Sequence, residues 1–254
     1  MSRLAKLTWP EAAEALGSAS VVILPIGATE AHGPHLPLDT DVTIAFAQAD
    51  RVVVRLAEAG VRASVLPALP YGLTNFAEGF AGTVSIRPGT LWSLIEDIFV
   101  SLEEQGVERI VLCNAHLEPA HIKVLRGVIM DHLGAKTGGL HAIFPDNTRR
   151  RFAQTLGEEF ASGECHAGRY ESSIVMASDD ESVRDAERIA LPPKEIGLIE
   201  KMQTGVKSFR EAGAELCYCG DPAAASAEEG RDLINRLADM TMVGIREAWP
   251  ELFS

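Results

Sequence analysis

Five side chains in two short stretches carry the donor atoms that divalent metal ions prefer. Glu30 and His32 lie in IGATEAHGPHLPLDTD (residues 26–41), which closes on Asp41, and His116 and Glu118 lie in NAHLEPAH (residues 114–121). A Glu-x-His pair and a His-x-Glu pair thus flank one aspartate. Carboxylate oxygen and imidazole nitrogen, without thiolate, suit zinc, manganese or ferrous iron. Three carboxylates and two imidazoles could hold two such ions if one carboxylate bridges. A pair of ions activates a water as nucleophile while polarising a carbonyl. Each residue also has a plainer reading on its own. Asp41 stands where a helix is expected to start and could simply favour its positive end. Glu30 and His32 could be solvated loop residues, and His116 a satisfied buried histidine.

A second cluster is ECHAGRYESS, residues 164–173, which reads as a glycine-containing loop entering a helix. His166 could move protons, because an imidazole titrates near neutrality. Glu171 could be a ligand, an orienting group behind one, or an ordinary first-turn glutamate. Cys165 and His166 do not read as a nucleophile–base dyad, since neighbours on an extended chain point to opposite sides. NFAEGFAGT (75–83) is glycine-rich but lacks the GK[ST] of a phosphate loop, and reads as a substrate wall or a plain turn. Cys217-Tyr218-Cys219 reads as packing.

The elements that must position these groups alternate. Apolar runs at Val21–Ile26, Ala63–Leu69, Arg109–Cys113 and Leu140–Phe144 read as strands covered on both faces, as in a parallel sheet. The N-terminal stretch reads as a strand or turn followed by a helix. Helical spacing over Asp41–Ala59 ends at Gly60, that over Thr90–Gln105 ends at Gly106, and Pro119–Leu133 ends at Gly134. Alternating strand and helix implies βαβ units and an α/β layered fold, read here as a single domain over residues 1–254. Each strand runs into polar or unusual residues: Glu30 and His32, Tyr71-Gly72, then Asn114 to Glu118. Ligands in such sheets bind beyond the carboxyl ends of strands, so distant segments are expected to meet in one crevice.

The chain has 254 residues and a net charge of −13, which argues against nucleic-acid or acidic-membrane partners. Arg149-Arg150-Arg151 is the only basic run and reads as a solvated helix start. No stretch approaches a membrane span and the N-terminus lacks an apolar signal core, so a cytoplasmic location is expected. Four cysteines in a chain this long do not make a disulfide framework.

LPIGATEAHGPHLPLDTD (24–41), NAHLEPAH, HAGRYESS (166–173) and GDPAAASAEEG (220–230) resemble, in order, the signature blocks of the creatininase family. That family comprises metal-dependent amidohydrolases: creatinine amidohydrolase, a formamide hydrolase of archaeal flavin biosynthesis, and a peptidase of mycofactocin maturation. The likeness runs from LTWPEAAEAL (7–16) to Gly230. It implies a three-layer α/β/α sandwich with a central, mostly parallel sheet, two divalent ions per chain, with zinc foremost and manganese or iron as alternatives, and a homo-oligomer, often a hexamer. It implies Glu30 and His116 as ligands of one metal, His32 as a ligand of the other, Asp41 as the bridge and His166 as the active-site histidine. Many relatives read NGHGGN where this chain reads NAHLEP. Creatininase has a glutamate two residues after its histidine, and Glu118 falls there. Glu118 is therefore assigned to the second metal, with Glu171 competing or supporting.

Two departures bear on substrate. Creatininase carries tryptophans between its third strand and the HAG block, whereas Leu140 to His166 contains none, and Cys165 stands where creatininase has a glutamate. The expected activity is hydrolysis of a non-peptide C–N bond in a small amide, lactam, formamide or ureide other than creatinine. A peptidase and a non-catalytic metal-binding protein are the other readings.

Overall fold

The computed structural model describes residues 2–134 and 139–254. Five parallel strands, β1 (Ser2–Arg3), β2 (Val21–Ile26), β3 (Ala63–Val65), β4 (Arg109–Asn114) and β5 (His141–Ile143), form one sheet in the order β1-β3-β2-β4-β5. Ten α-helices accompany them among the described residues: α1 (Trp9–Ser18), α2 (Thr40–Glu58), α3 (Pro88–Glu104), α4 (Pro119–Gly134), α5 (Arg150–Ala153), α6 (Glu158–Ser162), α7 (Arg169–Ser178), α8 (Asp185–Ala190), α9 (Leu198–Gln203) and α10 (Ala227–Ala248).

The continuous apolar runs follow from cover on both faces. Val22, Leu24, Ile26, Ile110 and Leu112 pack against Leu91, Ile95 and Phe99 of α3 and Leu125 and Val128 of α4. The alternate residues Val21, Ile23, Val111 and Cys113 pack against Val52 and Leu56 of α2 and Ala238 and Ile245 of α10. The result is the expected α/β/α sandwich. Along α2 the buried residues Ile44, Ala45, Gln48, Ala49, Val52, Val53 and Leu56 recur at helical spacing, and Gly60 follows with φ 78°. α10 was not among the elements read from the sequence, although Leu233, Leu237 and Met240 keep the same spacing.

The apolar run over Ala63–Leu69 is a strand only as far as Val65. Pro67 lacks the N–H that a longer ladder needs, and one isolated bridge, Ile26 to Leu69, remains. Pro25 sits inside central β2. Its carbonyl accepts from Leu69 N–H at 3.0 Å, so its missing N–H faces the point where β3 has ended. Arg150 and Arg151 open the short α5 behind Arg149, and their surroundings are exposed, matching the solvated reading. Among the described residues, no helix is long and apolar enough to cross a membrane.

Register is what brings the site together. Ile26 at the end of β2 pairs with Asn114 at the end of β4. Both strands therefore stop at one level, and Glu30 and His116 emerge over the same edge.

Candidate metal centre

Five pieces of chain converge there. The loop after β2 supplies Glu30 and His32, the first turn of α2 supplies Asp41, and the loop after β4 supplies His116. The Glu164–Gly168 loop and α7 supply His166 and Glu171. All six are buried. Gly27 makes the approach of α2 possible. A Cβ there would lie 2.6 Å from Val42 N and 2.7 Å from the Asp41 carbonyl carbon, so only glycine lets the helix start press against the strand end.

Asp41 does not act as a helix cap. Asp39 holds the N-cap position, and the Asp41 carboxylate turns inward. Its Oδ2 is 3.0 Å from His116 Nδ1 and its Oδ1 is 3.4 Å from His32 Nε2. Glu30 Oε1 lies 3.2 Å from His116 Nδ1, 3.8 Å from His32 Nε2 and 3.9 Å from His166 Nδ1. Glu171 Oε2 is 3.5 Å from His32 Nε2 and accepts the Ala167 N–H at 2.6 Å. Ala167 takes a left-handed backbone (φ 50°) to present that N–H.

Backbone carbonyls fix which imidazole nitrogens face inward. His32 Nδ1 donates to the Glu30 carbonyl at 3.1 Å, His116 Nε2 to the Leu73 carbonyl at 2.6 Å and His166 Nε2 to the Ala31 carbonyl at 3.0 Å. A carbonyl can only accept, so in each neutral ring the other nitrogen carries a bare lone pair turned toward the carboxylates. Phe209 stacks on the His166 ring, with centroids 4.1 Å apart.

Buried polar atoms without partners are rare. Here His32 Nε2, His116 Nδ1 and Asp41 Oδ2 form no hydrogen bond, and their near neighbours are one another's groups, Asp41 Oδ2 3.0 Å from His116 Nδ1 and Asp41 Oδ1 3.4 Å from His32 Nε2. Three donor groups result: Glu30–Asp41–His116, His32–Asp41–Glu171 and Glu30–His32–His166. Asp41 belongs to the first two, so the residues present fit a pair of divalent cations sharing that carboxylate.

The electrostatics fit as well. Burial pulls the His32 imidazole down, but Asp41, Glu171 and Glu30 together push it up to about 10. His116 is raised against burial by Glu30 and Asp41. Burial pushes Asp41 up, yet the two imidazoles hold it below the usual carboxylate range. Burial raises Glu171 to about 8, and burial with the charge on His32 lowers His166 to about 4. The carboxylates around His32 and His116 favour positive charge in this pocket, as they would favour a cation.

Glu118 is placed differently from its sequence assignment. It lines the same cavity, but its carboxylate accepts from Asn75 Nδ2 and from Phe76 N–H, each at 3.1 Å, and it belongs to none of the donor groups. Glu171 stands beside His32 and Asp41 instead. The glycine-rich loop does contribute a wall, through Phe76. The cavity above the cluster has a volume of about 320 Å³ and is walled by Phe76, Phe160, Leu198, Ile199, Met202 and Phe209. None of the three tryptophans lines it. All four cysteines are buried and free, and Cys165 lines the cavity. Three participants escaped the sequence reading: the Leu73 carbonyl, Asn114 as a side chain, and His121, although the last two lie inside NAHLEPAH.

Fold and site together define a three-layer α/β protein with a buried carboxylate–imidazole centre at the carboxyl edge of its sheet. The model of the creatininase family, described as creatinine amidohydrolase, matches residues 5–243. The chain belongs to that family of hydrolases. It is 32% identical over 225 residues to the mycofactocin precursor peptide peptidase of Mycolicibacterium smegmatis, covering 86% of this chain and 83% of that one. Among solved structures, a creatininase variant of Zn–Zn type aligns with TM-score 0.70 and 23% identity over 98% of this chain and 99% of its own. A manganese creatininase aligns with the same score and identity over 98% and 100%.

Proposed function

We propose that the chain hydrolyses an amide bond of a small, apolar-flanked substrate other than creatinine, at a centre of two divalent ions. The observation that carries this reading is the convergence of His32 Nε2, His116 Nδ1 and Asp41 Oδ2, buried and without a hydrogen bond, beneath an apolar cavity. Glu30, Asp41 and His116 would hold one ion, and His32, Asp41 and Glu171 the other. Zinc or manganese suits an oxygen-and-nitrogen donor set. When bound, the ions supply Lewis acidity and an activated water. The protein does the rest. The carbonyls of Glu30, Ala31 and Leu73 keep the three imidazoles oriented. The phenylalanine and aliphatic walls hold the substrate and exclude bulk water. His166, with its bare Nδ1 facing Glu30, would take a proton from the attacking water and deliver it to the departing nitrogen as the C–N bond breaks. Glu118, fixed by Asn75 and Phe76, borders the cavity and positions substrate.

A non-peptide amide, lactam or formamide is the first reading, because a cavity of about 320 Å³ is at the small end of ligand pockets and no tryptophan lines it. A peptide bond in a short apolar peptide is the second, favoured by the similarity to the peptide peptidase. The test is a panel of cyclic amides, formamides, creatinine and short apolar peptides, offered to the zinc- or manganese-loaded protein and to Asp41→Ala. Turnover of small amides that Asp41→Ala loses is expected. Cleavage of peptides alone would select the second reading, and turnover that survives in Asp41→Ala would overturn both.

A further inference from the structure

Behind His116 lies a closed circuit of hydrogen bonds. His116 Nε2 donates to the Leu73 carbonyl at 2.6 Å. The N–H of the same Leu73 donates to His121 Nδ1 at 3.4 Å. His121 Nε2 donates to Asn114 Oδ1 at 3.0 Å, and Asn114 Nδ2 donates to the His116 carbonyl at 2.6 Å. Asn114 ends β4, and His121 is in the first turn of α4. Every member is buried, so none of these bonds competes with water.

Two backbone groups set every proton in the circuit. The Leu73 N–H can only donate, so His121 Nδ1 accepts and its Nε2 carries the hydrogen. That turns the Asn114 oxygen toward His121 and its nitrogen toward His116. The Leu73 carbonyl can only accept, so His116 carries its hydrogen on Nε2 and leaves Nδ1 bare toward Glu30 and Asp41. The His121 ring also stands edge-on to His116, with centroids 4.8 Å apart. The space is tight: a Cβ on Gly72 would lie 2.6 Å from His121 Nδ1 and 3.3 Å from His116 Cδ2. His121 does not line the cavity and belongs to none of the three donor groups.

We propose that His121, acting with Asn114, is a positioning residue that fixes the tautomer and tilt of His116 for one of the two ions; this rests on the metal reading above. Partners that orient a ligating histidine typically contribute 10–100-fold in metal affinity. The consequence is selective, because His32 and Glu171 lie outside the circuit and their group meets His116 only through the shared Asp41.

The experiment is a zinc titration against a competing chelator on the wild-type protein, His121→Phe and His121→Gln. In His121→Phe, one ion is expected to weaken about 10–100-fold while the other binds as in wild type. His121→Gln is expected to recover most of the loss, since its oxygen can accept from Leu73 and its nitrogen can donate to Asn114. Nitrogen-15 NMR of the zinc-loaded wild type should show His121 neutral with its hydrogen on Nε2, a readout that does not depend on either variant folding. A wild type that binds no ion sinks the metal reading and this inference with it. A wild type that binds two ions sinks this inference alone if His121→Phe holds both unchanged, or if His121 carries its hydrogen on Nδ1.

Discussion

Replacing Gly27 by alanine should damage the metal centre although no donor residue is replaced. The added methyl would lie 2.6 Å from Val42 N and 2.7 Å from the Asp41 carbonyl carbon. Both are backbone atoms of the first turn of α2, so no side chain can swing aside. Ordinary contact begins near 3.4 Å, so strand end and helix start must separate by roughly 0.8 Å, more than the ~0.5 Å tolerance of a preorganised site. Overpacking of this kind costs about 1–3 kcal/mol. Asp41 belongs to two donor groups, so its displacement should weaken both ions, each by about tenfold or more, on the scale of lost orienting partners. Gly17 is the control: it lies in α1 with nothing within 4 Å of its Cβ position, and alanine there should be neutral or stabilising by up to about 1 kcal/mol. The assay is chemical denaturation of both metal-free variants, followed by zinc titration against a chelator. If Gly27→Ala matches Gly17→Ala in stability and binds two ions as tightly as wild type, the account of how α2 delivers Asp41 is wrong.

Glu171→Gln should lose one ion, whereas Glu118→Gln should keep both and raise KM, as elemental analysis beside steady-state kinetics would show. His166→Gln should retain both ions while kcat falls by about 10²–10⁴, the usual range for a lost proton-transfer group. Removing the ions by chelation should destabilise the fold by about 2.7 kcal/mol for each site held at a hundred times its Kd, readable as a lower Tm that excess zinc restores. All four cysteines are buried, and burial raises the thiols, Cys113 to about 12. A thiol reagent should therefore react with fewer than one cysteine per native chain and with all four after unfolding.

Much of this was legible in the sequence, and the failures have physical causes. Runs such as VVILPI and RIVLC announce a sheet covered on both sides because burial demands it. The crowding of Glu30, His32 and Asp41 after such a run announces a site because strand ends open there. The choice between Glu118 and Glu171 was not legible. Both stand at plausible spacings, and only the fold shows Glu118 turned to Asn75 and Phe76 while α7 carries Glu171 to His32. The role of Gly27 is a matter of backbone clearance, and the Leu73 carbonyl has no side-chain signature at all. His121 was visible as a letter in NAHLEPAH, but its partner is a main-chain group 48 residues away. β3 is shorter than its apolar run because that run continues past Val65, whereas the ladder cannot pass Pro67.

The central claim is a pair of ions sharing Asp41. The most direct measurement is the metal content per chain of protein purified without chelator, beside that of Asp41→Ala. Close to two divalent ions are expected in the wild type, and their loss in the variant. One ion or none, with Asp41→Ala unchanged, would contradict it and leave the buried carboxylates and imidazoles as scaffold.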